Sequence, residues 1–388
     1  MFALRHVATR ASRGRTLFGG MGLLMVLAGS LALTACGAPA PRAAGCGGSA
    51  RAASAAAVND VARQVRRVAP ATPLAQRQAA LPAPAATTLP HVTLGLTYIP
   101  DIQFAPFYVA AAKGFYRDAG IDVTFHHGIE TNEFAAIASG QEDAIFAGGD
   151  EMLEARAASG LPLVDVATVF QKYPVALVMP ADSPIHSVAD LCGRTIGIPG
   201  HFGATYTGLL ALLHSGGISA KDVTIQDIGF TQVAALLGHK VDAVMDYSNN
   251  GPVQLQRQGF AVRTLEVWKV QPLVSNGLVV LESTLRDHPD YVRALVSATL
   301  RGVRYTMDHP EEAVSLSAAY VSDLGQPGQA AQALAVLQAT IPLWRSAGKL
   351  GYNDPGSWQS MMNFLQGAGL LQGKTDVTTA YTNDYLPD

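Results

Sequence analysis

The fold is decided by His91-Val-Thr-Leu-Gly-Leu-Thr-Tyr98, which is followed by Ala105–Ala119, Gly120 and Ile121-Asp-Val-Thr-Phe-His126. The first segment alternates apolar and polar residues as a strand does. The second carries apolar residues at helical spacing and stops at Gly120, and the third alternates again. Strand, loop, helix, strand over so short a span predicts a right-handed crossover between parallel strands. The pattern continues outward with a helix near Glu133–Ser139, a strand at Asp143–Ala147, a helix after Asp150, and apolar strands at Val164–Phe170 and Val175–Met179. A second series starts at Ser187-Val-Ala-Asp190, which has the spacing of a capping box with Asp in place of Glu. It runs through strand Thr195–Ile198, helix Ala204–Ser215, strand Thr224–Ile228, a helix from Thr231 and strand Ala243–Tyr247. From Ser275 a last strand leads into helices expected at Asp290–Met307, Pro310–Val321, Gln329–Ala347 and Gly356–Gly367. Two such series predict an α/β fold with largely parallel sheets and a ligand site outside the carboxyl ends of the strands.

Composition agrees. The chain has 388 residues, 49% hydrophobic and 15% charged, which is too long for one ordinary core and suggests two lobes. Its net charge of −3 hides a strong asymmetry. Residues 1–36 hold four Arg and no acid, and residues 37–90 hold six Arg and only Asp60. The rest carries 17 Lys+Arg against 29 Asp+Glu, a poor surface for nucleic-acid phosphates. Of three Cys, only Cys192 lies in the body, so no disulfide framework is expected, and its position in a strand lead-in suggests burial.

The amino terminus reads as an address. Arg5, Arg10, Arg13 and Arg15 precede an apolar run from Leu17 to Leu33 that ends in Leu33-Thr-Ala-Cys36. That order describes a secretory signal, and the last four residues resemble a bacterial lipobox, with Cys36 the lipidated residue. The run is short for a membrane span and contains Gly19, Gly20 and Gly22, which favours the signal over an anchor helix. Residues 36–90, rich in Ala, Pro, Gly, Ser and Arg, are expected to form a disordered tether spanning on the order of 40 Å.

Within the body, Tyr98-Ile-Pro-Asp-Ile-Gln-Phe-Ala-Pro-Phe-Tyr-Val-Ala110, Gly114-Phe-Tyr116 and Gly120-Ile-Asp-Val123 resemble the opening of ABC-importer solute-binding proteins of the thiamine-precursor (aminopyrimidine) and riboflavin-binding family. Gly148-Gly-Asp-Glu151, Asp190-Leu-Cys-Gly-Arg-Thr-Ile-Gly197, Val241-Asp-Ala-Val244 and Asn249-Asn250 before Pro252-Val253 extend the resemblance. It implies a two-lobed, hinged periplasmic-binding-protein-like (type II) fold. Lobe one would comprise 91–181 and 272–388, and lobe two 182–271, with hinges near Ala181 and Gln271. It also implies delivery of a small ligand to a membrane permease driven by a separate ATPase, on the extracytoplasmic face of the membrane.

Candidate ligand residues cluster at strand ends. Tyr98, Asp101, Gln103, Phe104, Phe107 and Tyr108 in the first loop offer aromatic faces and polar edges for a planar heteroaromatic ligand, although Phe107 and Tyr108 also suit a core. Asp150 and Glu151 follow the third strand, where Asp150 is equally suited to an N-cap. Glu130 and Asn132 lie in the preceding strand-end loop, and Tyr173 is placed to close the cleft. In lobe two, Gly200-His201-Phe202-Gly203 opens a helix whose free N–H groups attract an acceptor, with Thr205 and Tyr206 close by. Asn249 and Asn250 carry the donors and acceptors that suit a pyrimidine or flavin edge. Asn276 and Trp268 flank the second hinge. Where close relatives tend to have Glu, this chain has Gly251, which counts against an aminopyrimidine.

No nucleophile elbow, metalloprotease helix or Cys-x-x-Cys motif is present, and neither is the Cys-rich motif of the fungal synthases in the same family. No cofactor is expected. His126-His127 alternates across a strand and shows no nearby partners in sequence, so no metal site is expected there. The leading ligand is riboflavin or a related flavin, then a thiamine-related aminopyrimidine. A sulfonate or nitrate comes third because only Arg156 and Arg194 lie near the proposed loops.

Overall fold

The computed structural model describes residues 89–346 and 348–388, apart from the side chains of Glu130 and Thr131. These residues fall in one unit, Pro82–Asp388. The signal, Cys36, Cys46 and most of the tether lie outside them. The strands are β1 (His91–Thr97), β2 (Asp122–Gly128), β3 (Ala144–Gly148), β4 (Leu163–Thr168), β5 (Val175–Pro180), β6 (Thr195–Ile198), β7 (Thr224–Asp227), β8 (Ala243–Tyr247), β9 (Val262–Glu266) and β10 (Asn276–Leu281). They form two five-stranded sheets, ordered β2-β1-β3-β10-β4 and β7-β6-β8-β5-β9. The first three strands of each sheet are parallel, as a βαβ series requires.

The expectation of largely parallel sheets needs correction. β10 runs antiparallel to both β3 and β4, and β5 runs antiparallel to both β8 and β9. These are the strands through which the chain changes sheet. β4 leaves the first sheet, residues 169–174 cross, and β5 enters the second; β9 then returns across 267–275 to β10. β5 therefore pairs in the second sheet, so the first crossing precedes the hinge expected at Ala181. The strand β9 escaped the sequence reading because Val262-Arg-Thr-Leu-Glu266 alternates weakly, with every residue only half-buried.

The helices are α1 (Ala105–Ala112), α2 (Phe115–Asp118), α3 (Glu130–Ser139), α4 (Gly149–Ser159), α5 (Gly203–Ser215), α6 (Gln232–Leu237), α7 (Gly251–Arg257), α8 (Glu282–Asp287), α9 (Pro289–Asp308), α10 (Pro310–Ser317), α11 (Gln329–Trp344) and α12 (Pro355–Gly367). The helix expected over Ala105–Ala119 is broken into α1 and α2, because Gly114 takes φ of +74°, a conformation that ends one helix before the next begins. The helix expected over Pro310–Val321 stops early, at Ser317, and residues 318–320 turn the chain before a separate 3-10 turn at 322–325. The capping box at Ser187 and Asp190 is present, but it closes a 3-10 turn (Val188–Leu191) rather than an α-helix. Cys192, just beyond, is exposed rather than buried.

Three apolar clusters hold the body. The largest fills lobe one, between the first sheet and the tail helices. α9 presents Val292, Leu295, Val296, Thr299, Val303 and Thr306 at helical spacing. Gly302 lets it approach α1, since a Cβ there would strike the Pro106 carbonyl. The second cluster belongs to both sheets, joining Ile145, Ala147 and Leu163 to Val175, Leu177, Ile196 and Met245 through α4, α5 and α12. A small third cluster, including Val178, Leu236, Val244 and Leu255, lies under α6 and α7. Among the described residues, no helix is long and apolar enough to cross a membrane.

Candidate functional site

The carboxyl ends of β1 and β3 meet the amino end of α5 and the turns after β7 and β8, so loops from both lobes converge there. The half-buried Tyr98 ring lies 6.0 Å, centroid to centroid, from the ring of Phe230, which is 58% exposed and comes from the other lobe. The carbonyl of Tyr98 accepts from His127 Nδ1 (3.0 Å), which leaves Nε2 to accept from the Tyr108 hydroxyl (3.1 Å). Burial lowers the pKa of His127, in keeping with a neutral ring in that role.

The rest of the first loop divides between turn and core. Asp101 accepts from the Gln103 amide (3.0 Å) and so caps the 3-10 turn Ile102–Phe104, while Gln103 is half-buried. Phe104, Phe107 and Tyr108 are buried in lobe one. Phe107 packs edge-on to Phe146 at 4.8 Å, and Tyr108 stacks on Tyr320 at 4.3 Å. Apolar burial accounts for these three rings, which is the core alternative open to Phe107 and Tyr108 and a departure from the ligand-facing role expected of Phe104.

Asp150 is fully buried on the first turn of α4, but the N-cap is Gly148, so the capping expectation gives way to a different role. The Tyr173 hydroxyl donates to Asp150 Oδ2 (2.6 Å) and lies 3.0 Å from the Ala204 carbonyl of α5. Tyr173, in the first crossing segment, thus ties α4 to α5. Asp150 Oδ1 has no hydrogen-bond partner, and burial raises this carboxyl to about 6. Glu151 reaches the other lobe, its Oε1 lying 3.1 Å from where a Cβ of Gly203 would stand. Glu154, one turn on, is raised to about 8, first by burial and then by Asp150. Sequence reasoning missed Glu154 and Phe230: the first reads as an ordinary helix-surface acid, and the second lies in an irregular loop.

In lobe two, His201 is exposed and pairs with Asp227 (3.0 Å), and Phe202, the N-cap residue of α5, is 47% exposed. Thr205 is buried, while Tyr206 is half-buried with its ring 5.0 Å from that of His201. Asn249 is buried and donates from Nδ2 to Thr340 Oγ1 of α11 (2.8 Å), a second tie between lobes. Asn250 accepts from Gln254 Nε2 (2.7 Å). Gly251 has a spatial cause: a Cβ there would strike the carboxylate of Asp246, which β8 buries at that turn and which burial raises to about 7. A carboxylate therefore stands beside position 251, supplied by the strand. Asn276 begins β10 opposite Gly148, and its carbonyl accepts from the Val169 and Phe170 amides. Trp268 lies under the ammonium groups of Lys172 (5.1 Å) and Lys269 (5.5 Å), in the second crossing segment. Glu130 and Asn132 begin α3, with Asn132 exposed.

A groove of about 370 Å³ opens at this junction, between the loop Ile99–Ile102, Asn250 and Gln254, and residues of the 320–336 region. It takes in Asp101 and Asn250; Asp150 and Tyr173 are not in its lining. Of the two arginines near the loops, Arg156 is committed elsewhere and Arg194 makes one long contact (3.4 Å) from Nε. Arg156 bonds Leu163 O, Thr375 and Thr379, and the contact of Arg194 is to the Asp190 carbonyl.

Residues 101–313 match the family model described as NMT1/THI5 like. The chain is 42% identical to riboflavin-binding protein RibY of Chloroflexus aurantiacus over 326 residues, covering 82% of this chain and 92% of that protein. It is 22% identical to the formylaminopyrimidine-binding protein of Halalkalibacterium halodurans, covering 76% and 90%. Among solved structures, the periplasmic aliphatic sulphonate-binding protein SsuA of Escherichia coli superposes with a TM-score of 0.62 at 16% identity, over 76% of this chain and 97% of that one. The two-sheet α/β architecture is therefore that of the periplasmic binding proteins, and the chain belongs to the NMT1/THI5-like family.

Proposed function

We propose that this chain is the solute-binding component of an ABC importer and that its ligand is riboflavin or a related flavin, held between the lobes. The observation that carries the reading is the 42% identity, sustained over 82% of the chain, to a protein named for riboflavin binding. The chemistry of the junction supports it. Tyr98 and Phe230 offer aromatic faces from opposite lobes, and Asn250 and Gln254 offer amide edges in the adjoining groove. Buried acids dominate the seam, Arg156 is engaged, and Arg194 precedes β6 at the amino end of that strand, away from the carboxyl ends that face the junction, which argues against a sulfonate or nitrate. The chain is read as a binder rather than a synthase, although several relatives at 20–25% identity, among them one from Legionella pneumophila, are named 4-amino-5-hydroxymethyl-2-methylpyrimidine phosphate synthase. Lipidation at Cys36 would hold the protein on the extracytoplasmic face, beside a permease driven by a separate ATPase.

The test is a titration of riboflavin fluorescence with purified protein, followed by competition with an aminopyrimidine. Saturable quenching at sub-micromolar protein, with no competition, is the expected outcome. A thermal shift from the aminopyrimidine and no flavin quenching would replace flavin with a thiamine precursor.

A further inference from the structure

Lobe one holds a second cluster, on the side of its sheet away from the aromatic core. Leu94 and Leu96 of β1 face that core, so Gly95 between them faces α3, as do its partner His126 and then Gly128 on β2. Glu133 of α3 and Glu142, just before β3, fill the space these glycines leave. A Cβ at Gly95 would strike both carboxylates, and one at Gly128 would strike Glu133. Glu133 is fully buried and Glu142 is 4% exposed. With both acids ionised, neither oxygen of Glu133 has a hydrogen-bond donor, nor does Oε2 of Glu142, and a proton held between the two carboxyls is the alternative way to satisfy them. His126 Nδ1 stands 2.7 Å from Glu142 Oε1 and 3.6 Å from Glu133 Oε1, and its side chain is 62% exposed. One ligand atom from each of the three residues falls within 4.8 Å of the others.

Two carboxylates pressed together out of water repel each other and lose hydration, and the exposed imidazole supplies at most one opposing charge. A divalent cation would neutralise both acids and satisfy the orphaned oxygens together. A tetrahedral first-row ion spaces its N and O ligands about 3.3 Å apart, close to the separations found here. We propose that His126, Glu133 and Glu142 form a binding site for one divalent transition-metal cation, of the class of Zn²⁺ or Mn²⁺. One imidazole nitrogen and two carboxylate oxygens suit those ions, and the exposed His126 gives an entry path from solvent. The expectation of no metal partner for His126 fails because Glu133 and Glu142 lie seven and sixteen residues away and meet it only through the β2–α3–β3 crossover. This proposal is independent of the flavin reading.

The test uses the full chain stripped with a chelator, then titrated with ZnCl₂ and with MnCl₂ by calorimetry and by thermal melting. One equivalent of at least one ion should bind and raise Tm, and His126→Ala and Glu133→Gln should each weaken that binding at least tenfold. His126→Ala alters an exposed side chain, so it remains informative if Glu133→Gln does not fold. Unchanged binding in both variants would place the ion elsewhere and overturn the assignment. So would a wild-type chain that binds neither ion, and Glu133→Gln melting higher would then assign the cluster to two carboxyls sharing a proton.

Discussion

The seam between the two lobes has two unlike ends. At one, both crossing segments run through an apolar cluster in which Tyr173, Leu273 and Val274 join α4, α5 and α12. At the other, the lobes meet through a tilted aromatic pair, the Asn249–Thr340 bond, the apolar contact of half-buried Val253 of α7 against the lobe-one core, and a groove lined partly by amides and acids. The first end gains from area removed from water, which no small ligand can replace. Contacts at the second are individually worth about 1 kcal/mol, comparable to what a ligand can offer in exchange. Such an arrangement suits a protein that swings about its packed end and opens at its polar end.

The sharpest way to break this contrast is at Trp358 of α12. Its ring is fully buried, stacks on Tyr381 at 5.2 Å and donates from Nε1 to Asn353 Oδ1 (2.9 Å). Trp358→Ala should cost about 3–5 kcal/mol, read as a fall in the urea midpoint, because it leaves a large cavity in the apolar cluster that both sheets share. A loss below about 1 kcal/mol would mean that the shared cluster does not hold the lobes together.

Much of this architecture was legible in the sequence, for identifiable reasons. Strands Thr195–Ile198 and Ala243–Tyr247 were bounded to the residue, because short apolar runs between turn signals leave little latitude. The direction of β5 and β10 was not legible, since periodicity carries no information about strand pairing. At the candidate site, the sequence named loops that the structure brings to one junction, but it could not aim their side chains. Phe107 and Tyr98 lie in one motif, yet one faces a core and the other faces Phe230 across the lobes. Phe230 and the Glu133–Glu142 pair escaped because their significance depends on neighbours remote in sequence, and Glu154 because its burial against the other lobe's elements leaves no mark on the helix pattern.

Between the two ends of the seam sit Asp150 and Glu154, and they predict a pH effect of intermediate size. Burial raises them to about 6 and about 8, above the usual carboxyl values. The folded state therefore keeps protons that the unfolded chain has already released. Their contribution to stability is complete below about pH 4 and is lost as pH rises through their folded values. Tm should fall by several degrees between pH 5 and pH 8.5. The Asp150→Asn, Glu154→Gln double variant should flatten that slope without abolishing it, because Asp165 and Asp246 are each raised to about 7 by burial elsewhere. An unchanged slope would show that these two acids are hydrated in solution, which would move the open part of the seam inward to α4.

The smallest effect on stability belongs to the aromatic pair, and it bears most directly on function. Phe230 is already 58% exposed, so Phe230→Ala removes little buried area and should change stability by less than about 0.5 kcal/mol. If the ring stacks on a flavin when the lobes close, the same change should weaken riboflavin binding about tenfold, or about 1.4 kcal/mol. Tyr98→Ala should weaken binding similarly. The pair can be separated from general damage by the double variant: rings that clasp one ligand from opposite sides should show coupled losses, whereas rings that only touch each other in the unliganded protein should lose no affinity at all. A variant that melted as early as Trp358→Ala would instead make Phe230 a structural residue and erase the distinction between the two ends of the seam. Melting near the wild-type temperature with weakened flavin binding would confirm that one end holds the lobes and the other recognises the ligand.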